Sequence, residues 1–175
     1  MIGKTMTPSR HRRKLELVIR GLFAAALVVA GAAGIGGAGS ARAQTGEQVV
    51  VDVHSGLAIS GFDPVAYFTE GAATLGKGDF EYRYAGAVWR FRNQGNRAAF
   101  MADPQVYLPR FGGYDPVSLA RGVAVPGHPK LWFVSAGRLY LFHSVESQAA
   151  FVLDADRTAS AAERKWPSVL QTLSP

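Results

Sequence analysis

No cysteine occurs among the 175 residues. Disulfides, thiolate nucleophiles, capture of soft metals by sulfur and redox cycling at cysteine are excluded, and the fold has to rest on its own apolar core. Excess charge is also missing once the N-terminus is set aside. Seven of the 19 Lys and Arg residues, but one of the 13 acids, lie at or before position 43, leaving 12 bases and 12 acids downstream. The pI near 9.9 belongs to that N-terminal segment, so net charge makes no case for nucleic-acid binding. Absent too are paired acids at a spacing suited to acid–base catalysis, a nucleophile motif around Ser118, Ser135 or Ser144, and a phosphate loop. With no catalytic constellation visible, a binding or accessory role is expected rather than an enzyme.

What is present begins with an export signal over residues 1–43. Arg10, Arg12, Arg13 and Lys14 form a basic region, residues 22–39 are apolar and glycine-containing, and Ala41-Arg42-Ala43 is an A-x-A cleavage signature. Cleavage before Gln44 is expected, which places the protein in the periplasm or otherwise outside the cytoplasm, with no membrane span left. The rival is an uncleaved membrane anchor, which the glycines of the apolar run weaken. Arg12-Arg13-Lys14-Leu15-Glu16-Leu17 loosely resembles a twin-arginine motif, and ordinary Sec leaders also carry paired arginines, so both routes stay open.

Downstream, the chain repeats itself. Gly61-Phe62-Asp63-Pro64-Val65 returns as Gly113-Tyr114-Asp115-Pro116-Val117, 52 residues on. Val88-Trp89-Arg90-Phe91, followed by Arg97-Ala98-Ala99-Phe100, returns as Leu139-Tyr140-Leu141-Phe142 and Gln148-Ala149-Ala150-Phe151, 51 residues on. A tandem duplication of about fifty residues, over roughly 61–104 and 113–155, accounts for this. Each copy reads as a helix start at Asp-Pro, a hairpin around Ala-Gly, and a helix capped by Asn93 or Ser144. Residues 49–53 have the composition of a strand, and Trp166, Val169, Leu170 and Leu173 form one face of a helix expected over 160–173. The fold class is α+β: one domain over 44–175, two hairpin–helix units sharing one core, and a C-terminal helix. Trp89, Phe91, Phe100 and their counterparts Tyr140, Phe142, Phe151 are expected in that core.

Chemistry, if any, rests on few residues. His54, His128 and His143 are the histidines of the mature chain, and converging imidazoles would suit copper, zinc or iron. None are at helical spacing, so convergence would have to be tertiary. His143 ends the second hairpin where the first copy has Arg92. Asp115 is an oxygen ligand candidate, but its alignment with Asp63 predicts a helix cap. Met101 is expected as core filler, and Arg90, Arg92 and Arg97 form a local basic cluster whose default is a solvated face.

A hairpin, a polar cap, a helix ending in Ala-Phe, then Asp-Pro and a Tyr is the pattern of the YHS domain. The stretch from Tyr82 through Trp89, Phe100, Asp103-Pro104 and Tyr107 resembles it, and the mature chain is similar to the exported bacterial group of YHS-domain proteins. The Gly-Phe-Asp-Pro-Val-Ala-Tyr-Phe run at 61–68, Phe111-Gly112-Gly113-Tyr114 and Trp166-Pro167 carry that resemblance. In that group the residue after Gly-Gly-Tyr is often cysteine or selenocysteine, and YHS domains elsewhere are associated with metal binding through cysteines. This chain has Asp115 there. The resemblance, together with the export signal, implies a metal- or metallocofactor-binding accessory protein, for which the candidate ligands are His143 with one other histidine, His54 or His128, supported by Asp115. The alternative is a protein-interaction module without ligand chemistry, using exposed loops such as residues 121–130.

Overall fold

The computed structural model describes residues 48–173, so the export-signal segment lies outside the described residues. The order of elements is α1 (Ala66–Thr69), β1 (Lys77–Tyr84), β2 (Ala87–Phe91), α2 (Gln94–Ala102), α3 (Pro104–Tyr107), α4 (Pro116–Ala120), β3 (His128–Ser135), β4 (Arg138–Phe142), α5 (Val145–Leu153) and α6 (Ala155–Leu173). Helices and strands are mixed, with two separate antiparallel hairpins, β1–β2 and β3–β4.

Both hairpins turn on an Ala-Gly pair in the left-handed region, Ala85 and Gly86 at φ 50° and 77° and Ala136 and Gly137 at 48° and 68°. Two positive φ values in a two-residue connection match the right-handed twist of the flanking strands. The pairing of Tyr82 with Trp89 corresponds to that of Phe133 with Tyr140, and an irregularity follows Lys77 in one hairpin and His128 in the other. Asn93 and Ser144 cap α2 and α5 as expected, each side chain accepting from the N–H three residues on, Asn96 at 2.8 Å and Ser147 at 3.2 Å.

Phe100 packs against Phe91 at 5.2 Å and Trp89 at 5.3 Å between ring centroids, while Phe151 packs against Phe142 at 5.2 Å and Tyr140 at 4.7 Å. All six rings are buried, as their alternation predicts. They do not form one shared core. Trp89, Phe91 and Phe100 belong to a first cluster, and Tyr140, Phe142 and Phe151 to a second that includes Ala162 and Val169 of α6. β4 joins the two, because Leu139 and Leu141 on its other face enter the first cluster. The outer face of β2 carries Val88 and the charged Arg90 where β4 has Leu139 and Leu141, and only β4 is buried on both sides.

Two further expectations are corrected. Helix α6 starts at Ala155, five residues earlier than the apolar spacing alone indicates, and it carries Pro167 inside it. Residues 49–53 form no regular strand: Val51 makes one isolated bridge with Ala58, and Val53 is exposed. What this segment pairs with is a set of left-handed turns. Ile59, Ser60 and Gly61 have φ of 42°, 54° and 77°, and Phe111, Gly112 and Gly113 have 56°, 62° and 93°. Val50 donates its N–H to Gly112 O at 2.8 Å and accepts from Ile59 N–H at 3.1 Å, so one residue ties both turns together. Gly112 is required there on steric grounds too, since a Cβ would fall 2.0 Å from Gln48 O.

Candidate functional site

Each left-handed turn delivers an aspartate into the interior. Asp63 and Asp115 are fully buried, and Asp115 is the N-cap of α4 as expected. The cap expected at Asp63 is corrected, because α1 begins at Ala66 after Val65 and the Asp63 side chain only closes the turn ahead of it. Asp115 Oδ1 accepts from the N–H groups of Val117 at 2.8 Å and Ser118 at 3.3 Å, and Oδ2 accepts from His143 N–H at 3.0 Å. Asp63 Oδ1 accepts from Val65 N–H at 2.9 Å, while Oδ2 accepts from Arg92 N–H at 2.8 Å and Asn96 Nδ2 at 2.6 Å. Asp115 therefore caps α4, Asp63 closes a tight turn ahead of α1, and each carboxylate also clamps the residue that follows its hairpin. A buried carboxylate needs such donors, because without them burial of its charge is prohibitive.

The structure brings Asp115 and His143 together, but through the histidine backbone. The His143 side chain is exposed. His128 is also exposed and lies at the same end of the hairpin, as the register partner of Phe142. His143 directly follows the last residue of β4, so the two histidines stand at one end of the hairpin. His128 Nδ1 accepts from Lys130 N–H at 3.1 Å, which leaves Nε2 as its outward nitrogen. His54 sits in the exposed turn after Asp52, where its N–H donates to Asp52 Oδ1 at 3.2 Å. Hydrogen bonds from Ser55 N–H and its hydroxyl hold the Asp52 carboxyl below the ordinary aspartate range. Among the described residues, no three His, Cys, Asp or Glu groups come together as a metal site.

The basic cluster is largely neutralised. Arg90 pairs with Glu81 at 2.8 Å across the hairpin, and Arg92 pairs with Glu70 beyond the end of α1. Arg97 is half-buried with its Nε unpartnered. Its counterpart Gln148 donates Nε2 to Trp132 O at 2.7 Å, where the second hairpin resumes regular pairing.

Tyr67 links α1 to the second hairpin. Its hydroxyl donates to Pro129 O at 2.9 Å, and its ring meets Trp132 edge-on at 5.2 Å. Burial, helped by the nearby charge of Asp63, pushes its hydroxyl pKa far above that of a free tyrosine. The loop at 121–130 is less free than its glycines suggest: Val125 O accepts from Asp115 N–H at 2.9 Å and Gly127 N–H donates to Gly113 O at 2.9 Å. Its exposed apolar tip is Val123.

A surface that residue-by-residue inspection missed lies on α5. Val145, Val152 and Leu153 are exposed, the last at 88 %, and Ala149 is exposed among them at helical spacing. Comparing the two repeats carries the signal in part: the matching positions in α2 are Gln94, Met101, Ala102 and Ala98, and Met101, expected as core filler, is itself exposed. No helix among the described residues is long and apolar enough to cross a membrane. The chain matches no family model, no curated protein and no solved structure.

Proposed function

We propose that this chain is an exported, non-enzymatic binding module of the YHS type, built by duplication of a hairpin–helix unit, and that its ligand is a protein. The observation that carries the ligand class is the outer face of α5, where Val145, Ala149, Val152 and Leu153 put apolar area into solvent on the side turned away from Phe151. Contiguous exposed apolar area on a small domain marks a place where something binds. Agreement between the hairpin registers and the matched Asp63 and Asp115 clamps supports the duplication, and the aromatic pattern supports the YHS relation. A photo-crosslinking residue at position 153, in the exported fraction, should give one protein adduct that Val145→Glu abolishes while the melting temperature stays unchanged. Adducts identical to those from a crosslinker at Val53, another exposed apolar position, would remove this proposal.

A transition metal, copper, zinc or iron, is the second proposal. It is favoured by the position of His128 and His143 at one end of the hairpin and by the outward Nε2 of His128. A metal bound there needs further ligands from solvent or a partner, since two imidazoles do not complete a coordination sphere. Residues 44–175 exposed to each metal and desalted should retain it in stoichiometric amount and lose it on His143→Ala. Retention indifferent to that substitution excludes this site.

A further inference from the structure

The two hairpins differ at their outer edges. Ala58 N–H donates to Val88 O at 2.9 Å, so the main-chain groups of Val88 point away from β1. Val88 is the register partner of Arg83, and such a pair in an antiparallel ladder exchanges no bond. The N–H and C=O of Arg83 therefore point out from the free edge of β1, and alternation puts those of Glu81 and Asp79 beside them. Exposure alternates in step: Asp79, Glu81 and Arg83 lie in solvent, while Phe80, Tyr82 and Tyr84 are half-buried against the first cluster. The same edge of β3 is partly closed. Trp132 O, the match of Glu81 O, accepts from Gln148 Nε2 at 2.7 Å, Lys130 N–H donates to His128 Nδ1 at 3.1 Å, and Pro129 has no N–H. In the first copy Arg97 replaces Gln148, and its Nε has no partner. Among the described residues nothing caps the outward groups of Glu81 and Arg83. Of the three exposed charges, Glu81 is held by Arg90 at 2.8 Å, whereas Asp79 and Arg83 enter no ion pair among the described residues.

We propose that β1 is a self-association edge, on which β1 of a second copy of this chain lies antiparallel with the two-fold axis at Glu81. An unpaired strand edge is a template for another strand, and the order of charges on this one selects its own copy. With the axis at Glu81, Asp79 faces the partner's Arg83 and Arg83 faces the partner's Asp79. The two charges that have no mate in one copy thus find one in the other. Glu81 meets the partner's Glu81 on the axis, and each is already paired with the Arg90 of its own chain. Phe80 lies across from the partner's Tyr82, an aromatic cross-strand pair made twice. Neighbouring registers are poorer. With the axis at Phe80, Asp79 opposes the partner's Glu81, and like charges directly opposite are destabilising. With the axis at Tyr82, Asp79 runs into the partner's Ala85, where the strand has ended in the left-handed turn. A contact of this kind is isologous, so it closes at two copies. It uses a different surface from the outer face of α5.

The test uses the soluble protein purified from cells expressing the full chain. Sedimentation equilibrium should show a concentration-dependent dimer. Asp79→Lys and Arg83→Asp should each raise its dissociation constant on the order of tenfold, because each sets like charges opposite one another. The two substitutions together should return it close to the parent value. Both positions are exposed, so the melting temperatures of these variants in dilute solution should match the parent's. The cysteine-free chain permits a second readout. Glu81→Cys should give a disulfide-linked dimer under mild oxidation, since opposed residues of a bonded pair stand about 5.5 Å apart at Cα. Lys130→Cys, on the partly closed β3 edge, should remain uncrosslinked. A protein that stays monomeric up to about 1 mM overturns the proposal. A dimer indifferent to both charge reversals overturns it as well, because its contact then lies on another surface such as α5. Reversals that weaken the dimer singly and fail to restore it together exclude this pairing of Asp79 with Arg83 and overturn it too. An adduct between position 81 and a different protein, with no dimer, assigns the edge to a foreign strand and overturns self-pairing.

Discussion

The backbone N–H of His143 donates to the buried carboxylate of Asp115 at 3.0 Å, as that of Arg92 does to Asp63 at 2.8 Å. A position that differs in side chain between the repeats is thus held by the same main-chain contact, which leaves the side chain free to vary.

Removing either carboxylate should destabilise the domain strongly, because several N–H donors lose their acceptor together. Asp63→Ala and Asp115→Ala are each expected to cost about 2–4 kcal/mol in urea denaturation. The partners separate the two sites. Asn96→Ala should cost about 1–2 kcal/mol, since its Nδ2 donates to Asp63. Ser147→Ala, where only the backbone N–H is used, should be nearly neutral.

The hairpin turns can be improved. Ala85 and Ala136 occupy positive φ, where a Cβ is crowded and asparagine or glycine is preferred. Ala85→Asn and Ala136→Asn should each stabilise by about 0.5–1 kcal/mol, raising the melting temperature by roughly 2–4 °C in a thermal scan. No gain at either site would mean that the strain is relieved elsewhere in the turn.

Stability should fall in alkali. Burial raises the hydroxyl pKa of Tyr67, Tyr114 and Tyr140 above the free value, with Asp63 adding to the effect at Tyr67. The unfolded chain gives up these protons near pH ~10 while the folded chain retains them, so the stability present below that pH is lost progressively as pH rises above it. Tyr67→Phe should flatten part of this loss while costing about 1 kcal/mol at neutral pH through the bond to Pro129 O. Parallel measurement of ellipticity and tyrosinate absorbance against pH would check both effects.

The face of α5 is expected to tolerate charge. Leu153→Asp should change stability by less than about 0.5 kcal/mol in urea denaturation, because its side chain lies almost wholly in solvent. A larger loss would mean that the face is covered within the protein itself.

Much of the fold was legible because it rests on local chemistry. The Asn93 and Ser144 caps, the helix starts at Asp103-Pro104 and Asp115-Pro116, the Ala-Gly turns and the alternating aromatics each depend on residues within a few positions of one another. The segment at 49–53 was misjudged because its partners, Ile59 and Gly112, lie in left-handed turns that isoleucine at 59 argues against. Burial on both faces of β4 depends on what packs across from Leu139 and Leu141, which no local pattern reports. The histidines illustrate the same limit, since the register that puts His128 beside Phe142 follows an irregularity that the alternation of side chains does not reveal.

The burial of β4 on both faces has a consequence for how the molecule melts. Two similar halves with separate clusters could in principle come apart in two steps, as repeats often do. Here Leu139 and Leu141 on one face of β4 and Tyr140 and Phe142 on the other serve as wall to the two clusters, so neither can lose its packing without stripping one side of the other's boundary. Calorimetry should therefore show a single transition with matching calorimetric and van't Hoff enthalpies. The amides of β4 should be among the last to exchange with solvent, opening only when the whole domain does.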